Sequence, residues 1–261
     1  MFTMSMSTVS VALLIALMSP AQEPPSVAGD DWEFHEDAAR GMVAMARYSG
    51  GQSVIVQCKG GALNVLLVGL PVTGDGPRDF EAQRADGRRD RQSWRPGEAP
   101  NVLTATVIGR TVRFLRQGGD YSLASTEPGA PPVRVSFDMP TSFENLDRVI
   151  AACDWPLEDE RDRLDQAEPG AFEWARTGGR RQGPREGEGT LIGVSHHSCI
   201  IRGLRLSDCR VDHQLPRNSS DGARAARDLE GTRLSASDPA QVEGRVVYLS
   251  TSTSRFAVRT Q

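Results

Sequence analysis

Lysine is nearly missing from this 261-residue chain: Lys59 is the only one, and arginine supplies the rest of the 30 basic residues. The arginines are scattered among 34 acids, for a formal net charge of −4. No basic stripe is left to gather a nucleic-acid backbone. Aromatic residues are scarce at 6%, and hydrophobic residues reach only 38%, which makes for a lean core. Long apolar runs are lacking too. Val9–Met18 is a ten-residue run, too short to cross a roughly 30 Å hydrocarbon layer as a helix, and no later stretch could span a membrane. Neither a G-K-[ST] phosphate loop nor a G-x-S-x-G nucleophile elbow occurs.

Glycine (26) and proline (16) are plentiful, a mixture that favours short strands joined by many turns. Residues 1–21 read as a secretory signal: the apolar run is followed by the small residues Ser19 and Ala21 at the −3 and −1 positions of a cleavage site before Gln22. The expected location is the periplasm, and the expected mature protein has no membrane span. Export changes the reading of the cysteines. Cys58, Cys153, Cys199 and Cys209 form an even set, and an oxidising compartment favours their pairing. Sequence alone leaves three connectivities open.

Residues 31–156 read as a β-rich unit, a small sandwich or barrel. Strands are expected at Gly41–Ser49, Ser53–Cys58, Ala62–Leu70, Arg78–Ala85, Asn101–Ile108, Tyr121–Ala124 and Val133–Asp138. Ala62–Leu70 is almost continuously apolar, which suggests burial on both faces. A helix closes the unit. Thr141 and Glu144 have the spacing of a capping box, and Phe143, Leu146, Val149, Ile150 and Cys153 recur on one face. A bridge from Cys58 to Cys153 would tie that helix to an early strand. Residues 157–170 are charge-dense and read as a linker, with Glu158, Asp159, Glu160 and Asp162 as a solvated acidic face.

Residues 171–261 read as a second, smaller α+β unit, so the whole chain is of α+β class. Thr190–Ile201 and Leu204–Gln214 form a hairpin about Arg202-Gly203, Ser219–Leu229 a helix, and Gly244–Val258 a long last strand. A turn near Leu204 sets Cys199 against Cys209 at a separation a disulfide tolerates. The order Cys199-x-Ile201…Gly203…Leu206-x-x-Cys209-x-Val211, then Pro216, an Ala-rich helix (Ala223, Ala225, Ala226) and a Gly244-x-Val246 strand, resembles the TonB C-terminal domain family. Trp174 stands where that family often has a tryptophan. The likeness covers the last third of the chain. It implies a domain that binds an extended segment of an envelope or outer-membrane protein by adding it to a sheet edge, here Arg245, Val247, Leu249 and Thr251 of the last strand. Energy-transducing members are tied to the inner membrane by a transmembrane helix and a Pro-rich spacer. Neither is read in this sequence, so what the resemblance carries over is peptide binding. Residues 31–156 more distantly resemble secreted VasI-like domains, through Trp32, the strand ending in Cys58, Trp94, and Ala151–Pro156.

Catalytic and metal chemistry find little support. His196, His197, Cys199, Cys209 and His213 lie close in sequence, but neighbouring histidines on a strand point to opposite faces and oxidation removes the thiolates. Neither a metal nor a cofactor is expected. Ser195 and His196 likewise diverge. The expectation is a periplasmic binding or adaptor protein and not an enzyme. A secreted structural envelope protein is the alternative, followed by a hydrolase.

Overall fold

The computed structural model describes residues 32–70, 77–125, 133–168, 170–175 and 190–255. The secretory signal expected at 1–21 lies outside them, as do residues 176–189. Among the described residues no helix is long and apolar enough to cross a membrane.

The first unit is one nine-stranded antiparallel sheet. Its strands are β1 (Glu33–Asp37), β2 (Gly41–Arg47), β3 (Ser53–Lys59), β4 (Ala62–Val68), β5 (Arg78–Arg84), β6 (Arg89–Pro96), β7 (Val102–Ala105), β8 (Gly119–Ser125) and β9 (Arg134–Met139). They bond in the order β1-β2-β3-β4-β7-β6-β5-β8-β9. Period-two alternation does the sorting: Val54, Val56 and Cys58 of β3 are buried, and so are Leu63, Val65 and Leu67 of β4. The other face of β4 is half-buried rather than fully covered. The sheet curls until Tyr48, after β2, meets Phe137 of β9 with ring centroids 4.9 Å apart. One apolar core fills the curl, from Trp32 and Ala44 through Phe80 and Trp94 to Leu123. Among the described residues hydrogen bonding does not close the sheet, and β1 and β9 are its two edges.

Two helices cover this core. α1 (Ile108–Leu115) falls where the sequence suggests the end of a strand and a turn. α2 (Glu144–Ala152) buries Leu146, Val149 and Ile150 as expected. The capping box does not form, however: the N-cap is Phe143, two residues beyond Thr141, and no side-chain hydrogen bond caps the helix. Cys153 ends α2 and bonds Cys58 across 95 residues, with Cα atoms 5.6 Å apart.

The second unit holds β11 (Thr190–Arg202), β12 (Arg205–Leu215), α3 (Asp221–Leu229) and β14 (Val246–Arg255), with the sheet order β12-β11-β14. Two two-residue strands, β10 (Glu173–Trp174) and β13 (Leu234–Ser235), pair beside it. Gly203 and Leu204 both have positive φ, +55° each, which is what a two-residue hairpin turn requires to match strand twist. With Arg202 opposite Arg205 and Ile200 opposite Ser207, an unbroken ladder would set Cys199 against Asp208. A bulge with Asp208 at φ +52° takes up that residue and brings Cys209 to Cys199, Cα to Cα 4.2 Å. Glu230 accepts hydrogen bonds from the N–H groups of Asp208 and Cys209, at 3.1 and 2.8 Å. One carboxylate therefore satisfies both N–H groups of the bulge.

Candidate functional site

Between the units, the segment expected to be a solvated linker is packed in part. Glu160–Arg163 is a turn of 3-10 helix. Glu158 and Glu160 face solvent, but the Asp159 side chain is only 4% exposed and pairs with Arg113 and Arg210. Asp162 holds Arg113 at 2.5 Å. Arg161 is 3% exposed. It donates to the backbone oxygen and hydroxyl of Ser198 and to Asp208, while its own carbonyl accepts from Arg110. Alternating charges of α1, the 3-10 turn and the second sheet thus interlock. The inward acids follow from burial: a carboxylate leaves water only where a cation meets it.

A histidine layer lies beside this lock. His213 stacks on Trp155 with centroids 4.8 Å apart and an interplanar angle of 12°, and its Nε2 lies 3.0 Å from the Cys153 carbonyl. His196 flanks the same indole at 5.9 Å. Burial pulls His196 down to about 4, helped by His213, His197 and Arg95. Burial also lowers His197 and His213. Histidines of the unfolded chain titrate near 6.5, so between about pH 6.5 and 4 the unfolded state binds more protons. The contribution is whole above pH 6.5 and is lost as pH falls toward 4; His196 alone accounts for about 3 kcal/mol. Asp212, raised by burial, acts in the opposite sense over the carboxylate range. Denaturant unfolding at pH 7.5 and 4.5 is expected to show a net loss of about 2 kcal/mol at the lower pH, and His196→Asn should flatten the difference.

Two Ser–His hydrogen bonds lie in this layer. Ser195 and His197, two residues apart and so on one face, meet at 3.0 Å, a pair that adjacent-residue reasoning misses. They are 5% and 0% exposed, Ser195 lies against Gly222 of α3, and Nδ1 of His197 has no hydrogen-bond partner among the described residues. Ser250 meets Nδ1 of His196 at 3.1 Å, but an imidazole held near 4 is a poor base.

The edge of β14 is arranged differently. On the side away from β11, the Val246 N–H donates to Asp165 and its carbonyl accepts from Ala167, at 3.0 and 2.9 Å. On the side of β11, the Ile201 N–H donates to the Arg245 carbonyl at 2.9 Å. Alternation along an antiparallel strand then directs the main chain of Arg245, Val247, Leu249 and Thr251 inward, to β11. The expected edge residues lie on β14 but in the set bonded to β11; Val247 is a core residue, 7% exposed. The outward groups belong to Tyr248, Ser250 and Ser252. Past Val246, no backbone group among the described residues takes them up.

A groove of about 290 Å³ runs beside the start of this edge. Val107, Ala167, Phe172, Trp174 and Tyr248 line it. Trp174 is the one large hydrophobic side chain exposed among the described residues, at 37%. Arg91 closes the polar rim, 2.9 Å from Asp79 and 3.3 Å from Glu168. A free ladder and an apolar trough next to it are what an extended chain needs: main-chain bonds for affinity, a recess for a side chain. No family model, no curated protein and no solved structure matches this chain.

Proposed function

We propose that this is an exported binding or adaptor protein whose C-terminal unit, a TonB-like module, takes an extended segment of an envelope or outer-membrane protein by strand addition to β14. The observation that carries this reading is the contrast among sheet edges. β1 reads Glu-Phe-His-Glu-Asp. β9 carries Arg134 and Asp138, and β12 carries Arg205, Asp208, Arg210 and Asp212. Charge on an edge strand discourages pairing with another chain. β14 has no charged residue from Val246 to Ser254; its hydroxyls keep the edge wetted without repelling a partner strand. The ionic lock supports an adaptor role in which the first unit holds the edge at a fixed orientation. The same lock favours a second reading, a structural envelope protein whose C-terminal unit only packs.

A Ser252→Pro substitution separates the two. It removes an outward N–H and leaves the β11 ladder in place. Peptides from the extended segments of outer-membrane transporters, titrated into the full chain, should shift the backbone amides of Tyr248, Ser250 and Ser252. Ser252→Pro should weaken that binding about tenfold with the fold retained, whereas Thr251→Pro removes an inward N–H and should damage the sheet itself. Amides of β14 that stay unmoved on titration would leave the structural reading standing.

A further inference from the structure

The open edge of β14 and the groove beside it together limit which chain can be added there. Val246 has both outward groups taken by Asp165 and Ala167, so an added strand pairs only from Tyr248 onward and ends where it meets Ala167. The groove lies at that end, lined by Ala167, Tyr248 and Leu249. Its walls come from both units: Ser93, Thr106 and Val107 from the first, Phe172 and Trp174 from the second. Its volume of about 290 Å³ falls just short of the range of about 300–1,000 Å³ usual for separate ligands. A single large side chain of an added strand suits it better.

Successive side chains of a strand point to opposite faces. In β14 the Tyr248 ring is directed to the first unit, 6.0 Å from the guanidinium carbon of Arg110. Val247 and Leu249 are directed to the core of the second, where Phe172 also packs. A strand added beside β14 shares this alternation. One set of its side chains meets the aromatic wall, and the other meets the first unit. The aromatic wall is incompletely covered: Trp174 is 37% exposed, although Leu234 paired opposite it is buried, and Phe172 meets the indole edge to face with centroids 6.3 Å apart. The facing wall is polar. Asp79 and Arg91 are the charged residues among those described that line the groove. Arg91 is shared between Asp79 and the exposed Glu168, at 2.9 and 3.3 Å. Two acids about one cation leave that rim formally negative.

We infer that the partner segment carries one large apolar residue at the end of its paired stretch, seated against Phe172 and Trp174, and beside it in sequence a basic residue that reaches Asp79 and Glu168. This rests on strand addition to β14 and adds which sequences the edge accepts. The apolar side chain covers an exposed indole, the kind of aromatic anchor that supplies much of the energy of an interface. The cation sits on a solvated rim, so it contributes less to affinity and more to encounter and choice of partner. An acid in its place would face two carboxylates.

Capped peptides of serine and threonine, about the length of an ordinary strand, test this by titration into the full chain with the amides of Tyr248, Ser250 and Ser252 as the readout. The one with a phenylalanine flanked by arginines should bind most tightly. Serine in place of the phenylalanine should weaken it about tenfold. Glutamates in place of the arginines should weaken it about three- to tenfold, a difference that fades at high salt. Trp174→Ala should cancel the preference for phenylalanine, and Glu168→Gln should reduce the preference for arginine. Both side chains are exposed, so unfolding of either variant should match that of the parent. Peptides that all shift the β14 amides with equal affinity, or a phenylalanine preference that survives Trp174→Ala, would overturn this inference and leave strand addition standing. If no peptide shifts them, strand addition fails and this inference falls with it.

Discussion

Removing the Cys58–Cys153 bridge, as Cys58→Ala with Cys153→Ala, is expected to lower stability by about 3–5 kcal/mol and Tm by roughly 6–20 °C. The bond closes a loop of 95 residues, and in the chain-entropy picture the denatured state gains most when so long a loop is released. Both cysteines lie in the first core, 8% and 0% exposed, so alanine leaves packing close to intact and the change reports the covalent tie. The bridge also fixes α2 to β3, and Cys153 carries the carbonyl that faces His213. Loss of the tie should therefore loosen the histidine layer, seen as faster amide exchange around Trp155 and His213. Cys199→Ala with Cys209→Ala opens a loop of ten residues and should cost less. The comparison, by denaturant unfolding of each variant, is decisive: equal losses would mean that loop length is not what the long bridge contributes.

The second large effect is expected from Arg110→Met. Arg110 and Asp90 are 5% and 4% exposed at their side chains, and the guanidinium reaches both carboxylate oxygens at 2.9 to 3.1 Å. Removing the cation strands a buried carboxylate, with one donor left in Gln166 at 3.1 Å. Loss of one partner from a buried pair costs about 3–5 kcal/mol. The pair itself is a different matter: Asp90→Leu with Arg110→Met replaces both charges by apolar groups and should recover most of the loss. Unfolding of the two single variants and the double variant gives the coupling directly. A double variant as unstable as Arg110→Met alone would show that Arg110 acts through the Arg161 carbonyl and the interface, not through Asp90.

Arg110 also shows why one helix was illegible. Ile108–Leu115 has Ile108, Val112 and Leu115 at helical spacing, but Arg110 and Arg113 stand on positions that the fold buries. Their partners are Asp90, 20 residues back, and Asp162, 49 residues on. Read locally, two inward arginines break an apolar face; only the folded chain brings the acids that neutralise them. The same holds for Asp159 and Asp162, whose neighbours in sequence are charged and whose neighbours in space are Arg113 and Arg210. The β14 edge shows the complementary failure. Composition marks the strand, but which alternate set of N–H groups faces outward depends on a one-residue phase, and that phase is set by Asp165 and Ala167 bonding Val246.

What the sequence determined by itself was whatever depends on near neighbours: strands of period two, the apolar face of α2, the Cys199–Cys209 hairpin, and a last strand without charge. Each follows from residues a few positions apart, where side-chain direction is fixed by local backbone geometry. The tertiary structure decided the rest: the partner of Cys58, the burial of Asp159 and Arg161, the helix at Ile108, and the set of β14 groups left open. Those depend on which distant segment a residue meets. A buried charge or an unpaired edge has no meaning until the chain that neutralises or covers it has been placed.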